Sequence, residues 1–258
     1  MKIRKSLAVW ISLLVPFMIV ACSAAKPLPT ATPTSIPPTN TPEPSPTATS
    51  LPTDTPEPTI TPDVVATQKA KDFQDTLALF QQKGYIETTQ GESIRIRDFK
   101  GEFNHLYYYY KWWYQDEVKG EFSKFVFSAH LEWSSYSSTP DVSGCGIGFG
   151  IKENGDHYAL FVDREHLVLA RGKGERVALM GTAGGVKYPT IPIPAKADFV
   201  VAVMEDKVTV SVNGKITYYI LSSDQNAQGR FAFSVLAGTN SGYGTRCEMT
   251  DIVFWTPK

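Results

Sequence analysis

The chain is predicted to fold as an all-β, antiparallel jelly-roll sandwich, preceded by one short helix and a long tether. Three observations predict this. Ile147, Phe149 and Ile151 alternate with Gly146, Gly148 and Gly150, the period of a strand with one buried face. Two Asn-Gly pairs, Asn154-Gly155 and Asn213-Gly214, lie between alternating runs, where both residues can take positive φ and close a hairpin. Short strand signals then follow one another as far as Trp255 with no helix between them, which is the pattern of a sandwich or jelly roll.

The 258 residues carry a net charge of -1 and are 42% hydrophobic, which fits one globular domain with appendages. Near-neutral charge provides no electrostatic case for a nucleic-acid partner, and none is expected. Most of the 5 Trp, 12 Tyr and 14 Phe fall after residue 100, where aromatic enrichment suits strands.

Residues 1–21 read as an export signal. Lys2, Arg4 and Lys5 precede an apolar run from Leu7 to Val20, too short to be a spanning helix. The ending Ile19-Val20-Ala21-Cys22-Ser23 resembles the lipobox of bacterial lipoproteins. That resemblance implies cleavage before Cys22, diacylglycerol on its thiol, and anchoring to the outer face of the cell membrane or to the outer membrane. The other reading is an ordinary secretory signal cut nearby, with Cys22 incidental. Two or three acyl chains hold a protein firmly, since each buried CH₂ contributes roughly 0.8 kcal/mol.

Residues 22–62 are nearly all Pro, Thr, Ser and Ala beyond Cys22, a composition expected to stay disordered because it buries too little apolar surface. Polyproline geometry gives such a linker a reach on the order of 100 Å. Its Thr-Pro repeats suit O-glycosylation.

A helix is expected over residues 63–84. Thr61-Pro62-Asp63 supplies a cap, a first-turn proline and an acidic residue. Ala66, Ala70, Phe73, Leu77 and Phe80 share one face, and Gly84 suits the C-terminal cap. The helix is expected to dock on the β-domain or fray as a stalk.

The sandwich is expected over residues 85–258. Ile94 and Ile96 mark a short strand. Phe125 to Trp133 alternates cleanly, and three strands linked by turns run from Cys145 to Gly172. Val177 and Leu179 mark another strand, and Gly181 to Ala195 reads as a long loop. Phe199–Val203, Val208–Val212, Ile216–Ile220, Phe231–Val235 and Glu248–Trp255 complete the set. The run from Phe103 to Tyr114 is dense in rings. Exposed Tyr and Trp rings stack on the apolar faces of sugars, so Tyr107, Tyr109, Trp112 and Trp113 are candidate ligand contacts. Tyr243, in the polar loop Gly238–Gly244, joins them. The alternative is that these rings alternate between two faces and cap the sandwich.

The segments FVFSAHLEW, GIGFGI, HYALFVD, FVVAVMEDKVTVSVNGK, GRFAFSVLAG and DIVFW resemble the concanavalin A-like lectin/glucanase superfamily. They are most similar to the laminin-G and 3-keto-disaccharide hydrolase-like domains of bacterial surface proteins. The match runs from Glu121 to Trp255 and implies a jelly-roll sandwich. Glucanase members of that superfamily carry a Glu-x-Asp-x-x-Glu strand whose carboxylates supply acid and nucleophile. This chain lacks it, so no enzyme is expected; Asp163-Arg164-Glu165 and Glu205-Asp206 read as turn residues.

With Cys22 lipidated, Cys145 and Cys247 are left as a pair in an oxidising compartment, and a disulfide between them is expected. The four histidines show no metal-ligand spacing, so no metal and no cofactor are expected. The function expected by resemblance is a non-catalytic, lectin-like carbohydrate binder at the cell surface. The alternatives are a laminin-G-type structural or protein-interaction module, and a glycoside-acting hydrolase. The hydrolase would need clustered acids, for which Glu132, Asp156 and Glu248 are the candidates.

Overall fold

Alternating residues place large apolar side chains on one side of nearly every strand, and those sides meet in a single core. The computed structural model describes residues 64–106, 109–137, 142–174, 176–180, 186–187, 190–192 and 194–258. The signal segment, Cys22, the linker, the residues 61–63 and Tyr107 lie outside the described residues. Thr59–Lys258 forms one compact unit.

In chain order the elements are α1 (Val64–Gln82), β1 (Gly91–Arg95), β2 (Phe99–Phe103), β3 (Tyr110–Tyr114), β4 (Lys124–Ser135), β5 (Gly144–Ile151), β6 (His157–Val162) and β7 (His166–Lys173). There follow β8 (Arg176–Met180), β9 (Val186–Lys187), β10 (Ala195–Met204), β11 (Lys207–Val212), β12 (Lys215–Ile220), β13 (Arg230–Leu236) and β14 (Thr245–Pro257). They form two antiparallel sheets. The first runs β1-β14-β4-β10-β11-β12, with β2 also on β14; the second runs β3-β13-β5-β6-β7-β8, with β9 also on β7. The fold is a β-sandwich with one helix, as the alternation predicts.

Phe125, Phe127, Leu131 and Trp133 of β4 point inward against Ile147 and Phe149 of β5, Leu160 of β6 and Phe231 and Phe233 of β13. Edge-to-face and tilted contacts fill the centre: the ring centroids of Phe231 and Phe254 are 4.9 Å apart, those of Phe127 and Phe231 5.4 Å. Cys145 of β5 and Cys247 of β14, one from each sheet, are joined by a disulfide that closes a separation of 102 residues.

Helix α1 packs on the outward side of the first sheet. Phe73, Leu77 and Phe80 are buried against Val126, Ala202 and Trp255. Gly84 (φ 73°) ends the helix in a Schellman motif: its N–H bonds Gln81 O at 2.9 Å, Tyr85 N–H bonds Phe80 O at 2.8 Å, and the Tyr85 and Phe80 rings touch edge-on. Ala70, expected on the buried stripe, is exposed, because the helix turns only its later half fully onto the sheet.

The two Asn-Gly turns differ. Asn213 and Gly214 both have positive φ (50° and 79°) and form the tight turn between β11 and β12. At Asn154-Gly155 only Gly155 does, at 84°. The connection there is longer, Lys152 to Asp156, and the Asn154 carboxamide bonds Asp156 instead of the turn closing in two residues. Three boundaries also move. β2 is a strand that apolar alternation alone does not mark, β10 starts at the small inward Ala195 and Ala197 ahead of Phe199, and the expected loop between Gly181 and Ala195 contains the β9 pairing with β7. In β14 the ladder shifts between Thr250 and Val253, with Asp251 at φ 55°, and this bulge turns the Asp251 carboxylate to the ammonium of Lys69 on α1.

Candidate functional site

Among the described residues no helix covers the outward, apolar face of the second sheet, and β3 borders it. Because strand residues alternate, Tyr110, Trp112 and Tyr114 share one side of β3, and Lys111 and Trp113 the other. Their contacts distinguish the two sides. Trp113 packs on the core, with its ring 5.5 Å from Phe99. Tyr110 and Trp112 lie on the outward side, near Phe161 and His157. Trp113 is therefore withdrawn from the expected platform, for the reason the alternation allowed: adjacent rings on a strand cannot face the same way.

The register explains how the outward rings reach so far. Trp112 lies opposite Ser234 of β13, which lies opposite Gly146 of β5; Tyr114 follows through Ala232 to Gly148. Beyond Gly148 come Ala159 of β6 and Ala170 of β7, and beyond Gly146 come Phe161 and Val168. The small residues of β13 and β5 make a floor that the rings of β3 reach across. Trp112 spans it to stand edge-on to His157 at 4.7 Å, and Tyr110 crosses it to bond the same imidazole.

His157 is buried. Its Nδ1–H donates to Gly155 O at 2.7 Å and its Nε2 accepts from the Tyr110 hydroxyl at 2.5 Å, which fixes one neutral tautomer. Burial holds its pKa below the ordinary histidine value, and burial pushes the Tyr110 phenol above its own. The imidazole lies flat on Gly172, where an added Cβ would come within 1.9 Å of Cε1. On the far side of Tyr110 a cavity of about 260 Å³ opens between Phe161, Val168, Val177, Leu179 and Leu236. Val177 and Leu179 are exposed at its rim. At the β3 border the Arg230 guanidinium sits 4.3 Å from the centre of the Tyr114 ring.

The other contacts expected from the sequence lie elsewhere. Tyr109, exposed, tilts against His105 at 4.0 Å, and its carbonyl accepts from Ala237 N–H at the start of the Gly238–Gly244 loop. Tyr243 in that loop stands edge-on to Tyr136 and under the Arg246 guanidinium, at 5.6 and 4.3 Å. Tyr109 and Tyr243 thus mark one end of the sandwich, separate from the Trp112–His157 contact. Tyr110, Tyr114, His157 and Arg230 were not singled out from the sequence as contacts. The glycine alternation of β5 was the signal that could have found them, since a strand bare on its outward side needs large neighbours or leaves a trough.

A larger cavity, about 400 Å³, lies between α1 and the first sheet. Its charges satisfy one another: Lys69 pairs with Asp251, His130 Nδ1 with Asp198 at 2.9 Å, and Asp72 accepts from Gln68. The candidate acids do not converge. Glu132 and Glu248 sit opposite each other on the outward side of the first sheet, bound to Lys196 at 2.7 Å and Lys100 at 2.9 Å. Asp156 holds the β5–β6 turn of the other sheet, accepting from Gly174 N–H and from Asn154. Among the described residues no group of three or more His, Cys, Asp or Glu is arranged to hold a metal, and no helix is long and apolar enough to cross a membrane.

No protein-family model and no curated protein matches the chain. Among solved structures it is similar to a carbohydrate-binding module from Bacillus subtilis, at TM-score 0.42 and 9% identity, over 62% of this chain and 92% of that one. It is also similar to a fructosyltransferase from A. japonicus, at TM-score 0.41 and 15% identity, over 64% of this chain and 26% of that one. An alginate lyase of polysaccharide lyase family 7 follows, at TM-score 0.39 and 11% identity, over 53% and 63%. At these identities no residue of this chain inherits a role.

Proposed function

We propose that the protein is an exported, lipid-anchored surface protein that displays a non-catalytic carbohydrate-binding β-sandwich, with the outward face of the second sheet as its binding face. The observation that carries this reading is the β3 border. Trp112 and Tyr114 present rings beside a floor of Ser234, Ala232, Gly146 and Gly148. A sugar ring can lie its C–H face on an aromatic ring where the neighbouring strands carry only small side chains, as β13 and β5 do beside these two rings. The absence of convergent carboxylates among the described residues supports binding rather than hydrolysis. The lipobox-like sequence ending at Cys22 and the proline-rich linker support display at a distance from a membrane.

The test is retention of the full-length chain, purified in mild detergent, on immobilised polysaccharides. Saturable retention that Trp112→Ala and Tyr114→Ala abolish is the expected result. Retention unchanged in both variants contradicts the placement of the site. Separately, Cys22→Ser is expected to move the protein from the membrane fraction to the soluble one. A protein-interaction role has its own supporting observation. The first sheet ends in the edge strand β12, where Tyr218 and Ile220 are 73% and 57% exposed, a row open to pairing with another chain. Capture of a protein partner that Tyr218→Lys abolishes, with no polysaccharide retained, selects that reading.

A further inference from the structure

The two sheets differ in charge as sharply as in covering. The strands of the first sheet mix signs, with Glu92, Glu102, Glu132, Asp198, Glu248 and Asp251 set among lysines and arginines. The strands of the second contain Lys111, Arg171, Lys173, Arg176, Lys187 and Arg230, and not one Asp or Glu. Loop carboxylates neutralise part of this: Asp224 takes Arg171 and Lys173, and Glu165 takes Lys187. Lys111, Arg176 and Arg230 have no carboxylate within 4.0 Å among the described residues. Of these three, Arg230 is the one on the outward side, resting 4.3 Å from the centre of the Tyr114 ring, whereas Lys111 shares the core-facing side of β3 with Trp113 and Arg176 alternates with the outward Val177.

A neutral sugar gives no reason to keep carboxylates off a sheet; an anionic one does, because each like charge on the face opposes its approach. A cation held against a ring also matches a uronic acid or sulfated sugar, whose apolar face takes the ring while its anionic group takes the cation. Arginine suits the second task, since its planar fork bonds a carboxylate or sulfate at two points.

We infer that the glycan bound on this face is an acidic polysaccharide bearing uronate or sulfate groups, met by Arg230 beside Tyr114. This rests on the carbohydrate-binding reading of the same face.

Matched pairs of immobilised polymers test it: polygalacturonate against its methyl-esterified form, and dextran sulfate against dextran, with the full-length chain in detergent at low and high salt. The charged member of each pair is expected to bind about tenfold more tightly, and Arg230→Gln to remove about that factor, as for a lost hydrogen bond to a charged group. Lys215→Gln on the first sheet is expected not to weaken retention at all. Equal retention of charged and uncharged members overturns the acidic assignment and leaves the binding face standing. No retention of any polymer by folded protein removes the binding reading itself. Equal retention by single-stranded DNA or by vesicles of anionic lipid reduces the effect to bare charge and also overturns the assignment. Unchanged retention in Arg230→Gln, with an unchanged melting midpoint, removes that residue's role.

Discussion

The outward faces of the two sheets solve the same problem in opposite ways. A sheet packed on one side still has another side to account for. The first sheet covers its own with α1, through Phe73, Leu77 and Phe80 on Val126, Ala202 and Trp255, and dresses the remainder with paired charges. Among the described residues, the second has no helix over Trp112, Tyr114, Val177 and Leu179, and it removes side chains from the strand between them. The lesson lies in the glycines. A face meant to be covered by a helix carries residues for the helix to grip, whereas this one carries a bare strip with rings at its border.

Variants that attack each face separately test this contrast, and the largest effects should be on stability. Replacing Cys145 and Cys247 by alanine opens a link across a 102-residue separation and should cost about 4–5 kcal/mol in urea unfolding, without changing which face binds. Leu77→Ala, at a fully buried position of α1, should cost about 3 kcal/mol and leave polysaccharide retention intact, because it loosens only the covered face. Loss of retention in that variant at a temperature where it is folded would break the separation of the two faces. Gly172→Ala drives a methyl into the His157 ring and should cost about 2 kcal/mol while also weakening retention, since His157 supports both Tyr110 and Trp112.

The smallest effect is the dependence on pH. His157 titrates lower in the fold than in the unfolded chain, where its pKa is about 6.5. Below that value the unfolded chain takes up the proton first, so this contribution to stability is present above pH about 6.5 and is lost as pH falls toward the lower folded value. Melting midpoints across this range should therefore fall with acidification, and His157→Gln should flatten the slope. A slope unchanged in the variant would show that the buried imidazole does not carry it.

Much of the fold could be read from the chain because its signals are local. Alternation placed Phe125–Trp133 and Val208–Val212 on strands, Asn213-Gly214 closed its hairpin, and Gly84 capped the helix through bonds only a few residues long. The site was harder to read because its determinants are relations between distant strands. Trp112 and Trp113 are neighbours in sequence, and nothing local says which of the two faces the core; Phe99, on another strand, decides it. The Tyr110–His157 bond joins residues 47 apart, and the Arg230–Tyr114 contact depends on β13 lying beside β3. Only register assembles such groups, and alternation does not reveal register between strands that are not joined by a hairpin.

Hydroxyl-radical footprinting of the full-length chain, with and without saturating polygalacturonate, tests most directly that the open face is the binding face. The account predicts that oxidation of Trp112 and Tyr114 falls on binding while Tyr218, exposed on the edge of the first sheet, reacts at an unchanged rate. Protection of Tyr218 with Trp112 and Tyr114 still fully reactive would contradict it.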